Sequence, residues 1–411
     1  MPDLSAMQRD YVRLLVREGV NLQPGQRLVI TCAADQAWFA RLCAAAAYAG
    51  GCREVSMNWT DDALTRMKYL RADDAVFDRC DPWRSLFYNA AAEEGAAWLF
   101  LESADPENLR GVDPERIRRA QIASGAALKP FRELEKSNGF PWCIGAVPSP
   151  AWAKLVFPAL GADEAVARLW TEILRAARCT GGDAVRDWRA HSDELHRRVE
   201  ILNRFDFVSL HYRSGLGTDL TVELPEGHFW AGGRETCTKN GVLFSANVPT
   251  EEVFTLPKRD GVNGTVVASK PLSLHGNLIE GLRFTLRGGR ITGLHADRGE
   301  ALLRAATEVD EGAAYFGEVA LVPFHSPISD AGILFYSTLF DENAACHFAF
   351  GDAYPCIRGA AELGGEELRA RGVNSSITHV DFMVGTADLS VTGLTHAGEA
   401  VPVLVDGDFA F

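Results

Sequence analysis

Arg27-Leu28-Val29-Ile30-Thr31-Cys32 is a short apolar run of the kind that forms a buried strand. An alanine-rich helical stretch follows from about Gln36 to Tyr48, closed by Gly50-Gly51, and a second strand is expected from Glu54 to Asn58. Strand, helix, strand at this spacing reads as a parallel α/β unit, since parallel neighbours need a crossover between them. Upstream, Ser5 is positioned to cap a helix with Met7, Tyr11, Leu14 and Leu15 on one face and Gly19 at its end. Downstream, Ala97-Trp98-Leu99-Phe100-Leu101 and Cys143-Ile144-Gly145-Ala146-Val147 repeat the pattern, each preceded by helical sequence. A parallel sheet with helices on both faces is the expected N-terminal fold. No Gly-x-Gly-x-x-Gly follows the first strand, where Thr31-Cys32-Ala33-Ala34-Asp35 stands instead, so dinucleotide binding is disfavoured.

The chain of 411 residues exceeds what one hydrophobic core usually holds. From Asp163 to about Asn203 it reads as helical, and then its character changes. Phe207 to Tyr212 alternates, Ser214 to Asp219 turns, and Leu220 to Leu224 alternates again. Short strands recur at Gly264 to Ala268 and from Phe284 to Ile291. The expected fold class is therefore α/β, with a parallel α/β domain over residues 1–203 and a β-rich α+β domain over 204–411.

Composition narrows the function. The formal net charge of −14 and the lack of a basic stripe interleaved with aromatics argue against a nucleic-acid partner. No apolar run is long enough to span a bilayer, and Met1-Pro2-Asp3-Leu4-Ser5-Ala6 has no signal-peptide pattern, so no membrane is expected and the expected location is cytoplasmic. Nine cysteines without a repeated spacing, and no Cys-x-x-Cys, fit reduced thiols that pack as small apolar residues.

Four stretches of the second half place acidic or His residues in apolar surroundings, where an unpaired charge is costly. In His379-Val380-Asp381 strand alternation puts an imidazole and a carboxylate on one face, a pair that can ligate a metal or share a hydrogen bond. Glu318, beside Val319-Ala320-Leu321-Val322, shares its face with Ala320 and Val322 and needs a partner, which an Arg or a metal would provide. His347 reads first as a hydrogen-bonded core histidine and only second as a ligand. Glu251-Glu252 reads as a solvated pair in the first turn of a helix capped by Thr250.

Longer motifs go further. Pro249-Thr250-Glu251-Glu252-Val253-Phe254-Thr255, Gly317-Glu318-Val319-Ala320-Leu321-Val322-Pro323, Leu339-Phe340-Asp341-Glu342-Asn343-Ala344-Ala345-Cys346-His347 and His379-Val380-Asp381-Phe382-Met383 resemble the signature segments of the thermophilic-type metalloaminopeptidases, the aminopeptidase T and aminopeptidase S family. The likeness runs over nearly the whole chain, including Asn21 to Gln26 and Gly217 to Leu220. The resemblance implies two divalent ions (Zn, Co, Mn or Mg) held by Glu252, Glu318, His347, His379 and Asp381, with Tyr354 near the reacting centre, in a homodimer acting on peptide substrates. It also makes the β-rich domain the metal-binding catalytic one.

The implied reaction is release of N-terminal residues by metal-activated water. Glu318 and Asp381 are expected to bridge the ions, Asp381 above all, because a carboxylate offers two oxygens and an imidazole one lone pair. Tyr354 is expected to donate to the developing oxyanion, and Glu251 is the candidate general base. His347, His379 and Asp381 are also the donor set of a single Fe(II), so a ring-cleaving dioxygenase on a related scaffold is the rival reading, and Glu252 with Glu318 is what such a site would not need. A binding protein that keeps the fold without catalysis would not need all these groups together.

Overall fold

The structure, a computed structural model, describes residues 3–274 and 276–411. Met1 and Pro2 of the N-terminal stretch read above lie outside the described residues. Strands β1 (Arg27–Ala33), β2 (Glu54–Thr60), β3 (Ala97–Glu102) and β4 (Trp142–Ala146) form a parallel sheet in the order β2-β1-β3-β4. Leu28, Val29 and Ile30 are all fully buried, as expected when a parallel strand is covered on both faces. The N-terminal helix Leu4–Leu14 starts two residues earlier than a Ser5 cap would give. Its cap is Asp3, whose carboxylate accepts from the Ser5 N–H at 3.1 Å, because Asp3 has the extended backbone a cap needs.

Two compact units divide the chain, and the division is not a single cut at 203/204. Residues 1–191 and 234–249 form the first, and residues 192–233 and 250–411 the second. The break falls inside the helix Ala184–Phe205, and a later excursion rejoins the first unit. There the Ile144 N–H donates to the Ala246 carbonyl and Val248 N–H to the Ile144 carbonyl, which extends pairing past β4.

The second unit opens with the hairpin β5 (Ser209–Arg213) and β6 (Asp219–Glu223), while β7 (Glu235–Thr236) and β8 (Leu243–Phe244) pair within the first. Strands β9 (Val253–Thr255), β10 (Val262–Val267), the pair β11 (Leu272–Leu274) and β12 (Asn277–Ile279), β13 (Arg283–Arg287) and β14 (Arg290–His295) follow. After them come β15 (Phe316–Leu321), β16 (His347–Gly351), β17 (His379–Met383), β18 (Ser390–Leu394), β19 (Ala400–Val405) and β20 (Asp408–Phe409). Eight of these build one antiparallel sheet, β14-β13-β10-β6-β5-β18-β19-β20, and four build another, β17-β16-β15-β9.

One face of the four-stranded sheet packs on the larger sheet. Phe316, Phe348, Phe350 and Phe382 meet Tyr212 and Phe284, with ring centroids 5.0 Å apart for Tyr212 and Phe348. Each fully buried Phe contributes roughly 1.5–3 kcal/mol. This apolar face holds rigid the strands whose other face carries the site.

Candidate metal centre

Pairing register assembles the site. Glu318 of β15 lies opposite Ala349 of β16, which lies opposite Asp381 of β17. One rung away in the same alternation His347 faces Ala320, and His379 pairs with Gly351. Residues directly opposed in antiparallel strands point to one face, as do residues two apart along a strand, so Glu318, His347, His379 and Asp381 share the face turned from the aromatic core. Glu252 joins them from the residue before β9, whose Phe254 pairs with Ala320. The expectation of a helix at Thr250 is not met: Glu251 and Glu252 enter a strand and are buried.

The contacts form two groups with one shared member. His347 Nε2 lies 3.1 Å from Glu252 Oε2 and 3.5 Å from Glu318 Oε1. His379 Nε2 lies 3.5 Å from Glu318 Oε2 and 3.2 Å from Asp381 Oδ1. Within each triad, Glu252-Glu318-His347 and Glu318-His379-Asp381, ligand atoms lie within 4.8 Å of one another. Glu318 is common to both, one oxygen to each side, and Asp381 belongs to the second alone.

Both imidazoles are oriented through their other nitrogen. His347 Nδ1 donates to the Ala345 carbonyl at 3.2 Å and His379 Nδ1 to the Asp352 carbonyl at 2.8 Å; a carbonyl only accepts, so these nitrogens carry hydrogen. In the neutral imidazoles the Nε2 lone pairs then face carboxylate oxygens. Neither His347 Nε2 nor Glu252 Oε2 makes a hydrogen bond among the described residues, although both are buried. Two buried acceptors facing each other repel unless a proton or a metal cation lies between them, and the N/O donor set fits a metal.

Electrostatics point the same way. Burial works to depress the His347 imidazole, but Glu252 and Glu318 outweigh it and hold the group well above its ordinary value. Burial opposes His379 too, yet Asp381 and Glu318 raise it to about 10. Glu318 itself is raised by burial, whereas the two imidazoles hold Asp381 below the usual carboxylate range against the effect of its burial. The site attracts positive charge, supplied by protons or by cations at the same lone pairs.

Other residues complete the surroundings. Glu342, not singled out from the sequence, lies among the ligands: burial and then the charges of Asp381 and Glu252 lift its carboxyl well above the usual range. Its short 3-10 turn, Glu342–Ala344, offers no periodicity that would mark it. Glu251 falls in neither ligand group; its N–H donates to Asn343 Oδ1 at 2.8 Å, and its charge acts on Arg198. Tyr354 stands at the rim, 40% exposed, its ring edge-on to His379 at 5.9 Å.

The profile of the thermophilic metalloproteases (M29) matches residues 5–409. The chain belongs to that family. Aminopeptidase AmpS of Bacillus subtilis is 42% identical over the whole of both chains, and aminopeptidase T of Thermus aquaticus is 43% identical over 96% of each. The solved structure of wild-type AmpT from Thermus thermophilus superposes with a TM-score of 0.93 at 40% identity, covering all of both chains. The expected α/β class and family are thus met, and this M29 member is a metalloaminopeptidase, a hydrolase of peptide bonds. A 2,5-dihydroxypyridine dioxygenase from Pseudomonas putida KT2440 shares the fold at TM-score 0.55 and 13% identity, a likeness of fold alone.

Proposed function

We propose that the chain releases N-terminal residues from peptides with two divalent ions, one held by Glu252, Glu318 and His347 and the other by Glu318, His379 and Asp381. The observation that carries this reading is Glu318, whose two oxygens each face a different imidazole. A one-iron dioxygenase site would leave Glu252 without a task. Zn, Co, Mn and Mg all suit such N/O donors. When bound, a metal pair of this kind lowers the pKa of water and polarises the scissile carbonyl.

The chain's own groups do the rest. Glu342, buried beside Asp381 and Glu252 and outside both proposed metal groups, serves in place of Glu251 as the general base that takes a proton from the attacking water and passes it to the leaving amine. Tyr354 donates its hydroxyl hydrogen to the developing oxyanion. The aromatic sheet face beneath keeps the ligands fixed, so no reorganisation is needed as charge develops.

The same reading takes peptides as substrates, a homodimer as the assembly and the cytoplasm as the location. Supporting it are the absence of disulfide bonds among the described residues and the exposed apolar side chains Leu64, Met67 and Leu70 on a helix that buries none of its residues. Among the described residues no helix is long and apolar enough to cross a membrane.

Metal analysis of Glu318→Gln and Asp381→Asn tests the assignment. The first variant should lose both ions and the second one of them, with turnover of short peptides falling at least about a thousandfold in each. Two ions per chain and normal turnover in Glu318→Gln would end the proposal.

A further inference from the structure

A small cavity of about 30 Å³ opens beside Asp381. That volume suits one or two water-sized groups and no large side chain. Three acidic residues line it, Asp341, Glu342 and Asp381, together with Ser273, Ser337 and Thr338 and the apolar Leu272 and Met383, and no Lys, Arg or His does so among the described residues. Glu342 and Asp381 have tasks in the proposed hydrolysis; Asp341 has none. Its buried carboxylate accepts from the N–H groups of Phe335 at 2.8 Å and Ser337 at 3.1 Å and from that of Tyr336 between them, which leaves about one of four lone-pair positions for a ligand. Tyr336, between those two amides, is held at φ 58°, a conformation a tyrosine rarely adopts, so Asp341 fixes one wall of the cavity.

We infer that this cavity receives the α-ammonium group of the substrate, with Asp341, Ser273 and Ser337 as its acceptors. The inference rests on the proposed aminopeptidase site and deepens it by assigning the groups that read a free N-terminus. An ammonium is water-sized and carries three donors, which matches a cavity rich in acceptors. The α-nitrogen lies two bonds from the scissile carbonyl carbon, about 2.5 Å away, so its pocket must adjoin the ligands, as this one adjoins Asp381. Lys270, outside the lining, is half-buried and feels the charge of Asp341, which sets the sign of one test.

The test uses the metal-loaded full chain, propan-1-amine as the probe and propan-1-ol as its uncharged counterpart. Inhibition of alanine p-nitroanilide hydrolysis and calorimetric binding of the probe are both read. The amine should compete with substrate and the alcohol bind at least about tenfold more weakly. Asp341→Asn should weaken amine binding about tenfold and raise KM in step, so that the loss in kcat/KM is carried by KM. Ser273→Lys, which places a tethered ammonium in the cavity, should do the same without touching Asp341. Lys270→Met should strengthen amine binding about threefold by removing a competing positive charge. Unchanged amine binding in Asp341→Asn and Ser273→Lys, or equal inhibition by potassium ion or by the alcohol, would overturn the inference. A wild-type chain that binds the amine yet hydrolyses no peptide bond would overturn the hydrolytic reading instead.

Discussion

Glu318 and Asp381 occupy one rung of their sheet two strands apart, with only the methyl group of Ala349 between them. Adjacent strands are about 4.8 Å apart, so the two carboxylates rise from backbones about 10 Å apart over a floor with almost no side chain. On the proposed two-metal reading, that floor leaves room for the cations. In Ala349→Leu an isobutyl group would fill it, while Phe348 and Phe350 would still pack on the opposite face. The variant should stay folded by circular dichroism at an overpacking cost of about 1–3 kcal/mol. It should bind less than one metal per chain and lose at least about a hundredfold in turnover. Full metal content with normal turnover would show that the ions do not lie over this rung.

A second expectation concerns stability away from the site. Burial pushes the Glu135 carboxyl, in the helix Lys129–Lys136, up to about 7, with Arg132 and Lys136 pulling it back only in part. The folded state thus holds this proton more tightly than the unfolded chain, whose Glu titrates near pH 4.3. Stability is undiminished below the unfolded value, falls as pH rises from about 4.5 to about 7, and stays reduced above that. Glu135→Gln removes the penalty, which is about 1–2 kcal/mol once solvent screening at a half-buried side chain is allowed for. Tm should exceed that of the wild type by about 2–4 °C at pH 8 and match it at pH 4.5. An equal offset at both pH values would assign the effect to packing.

What the sequence disclosed follows from the range of each interaction. His379 and Asp381 are two apart on one strand, so their common face was legible from alternation alone. That Glu318 stands between the two imidazoles depends on pairing among β15, β16 and β17, and register is a non-local choice fixed by the aromatic core on the opposite face. Family resemblance supplied the proposed ligand set, which periodicity alone does not give. Glu342 stayed hidden because a three-residue turn has no face to read, and Glu251-Glu252 misled because two adjacent acids after a threonine look like a helix start. The return of residues 234–249 to the first unit rests on hydrogen bonds to Ile144 about a hundred residues earlier, with no local signal.

The register itself turns on one glycine. Phe316 pairs with Phe350 and Glu318 with Ala349, so two steps along β15 match one along β16 and Gly317 is the extra residue of a β-bulge. Without the bulge Phe316 and Glu318 would share a face; with it, the ring enters the core and the carboxylate enters the site. A Cβ at Gly317 would lie 2.1 Å from the Asp352 carbonyl oxygen and 2.5 Å from that of Gly351, backbone atoms that cannot swing aside. The same Asp352 carbonyl accepts from His379 Nδ1, so Gly317→Ala presses on two of the proposed ligands at once, its neighbour Glu318 and, through Asp352, His379. Metal affinity should fall at least about tenfold, as it does when the partner orienting a ligand is lost, with turnover falling alongside. Gly365→Ala, where a Cβ would meet nothing within 4 Å, should keep wild-type affinity and serves as the control. Competition with a chelator measures both variants, and equal affinities would show that neither the bulge nor the Asp352 carbonyl sets the ligand geometry.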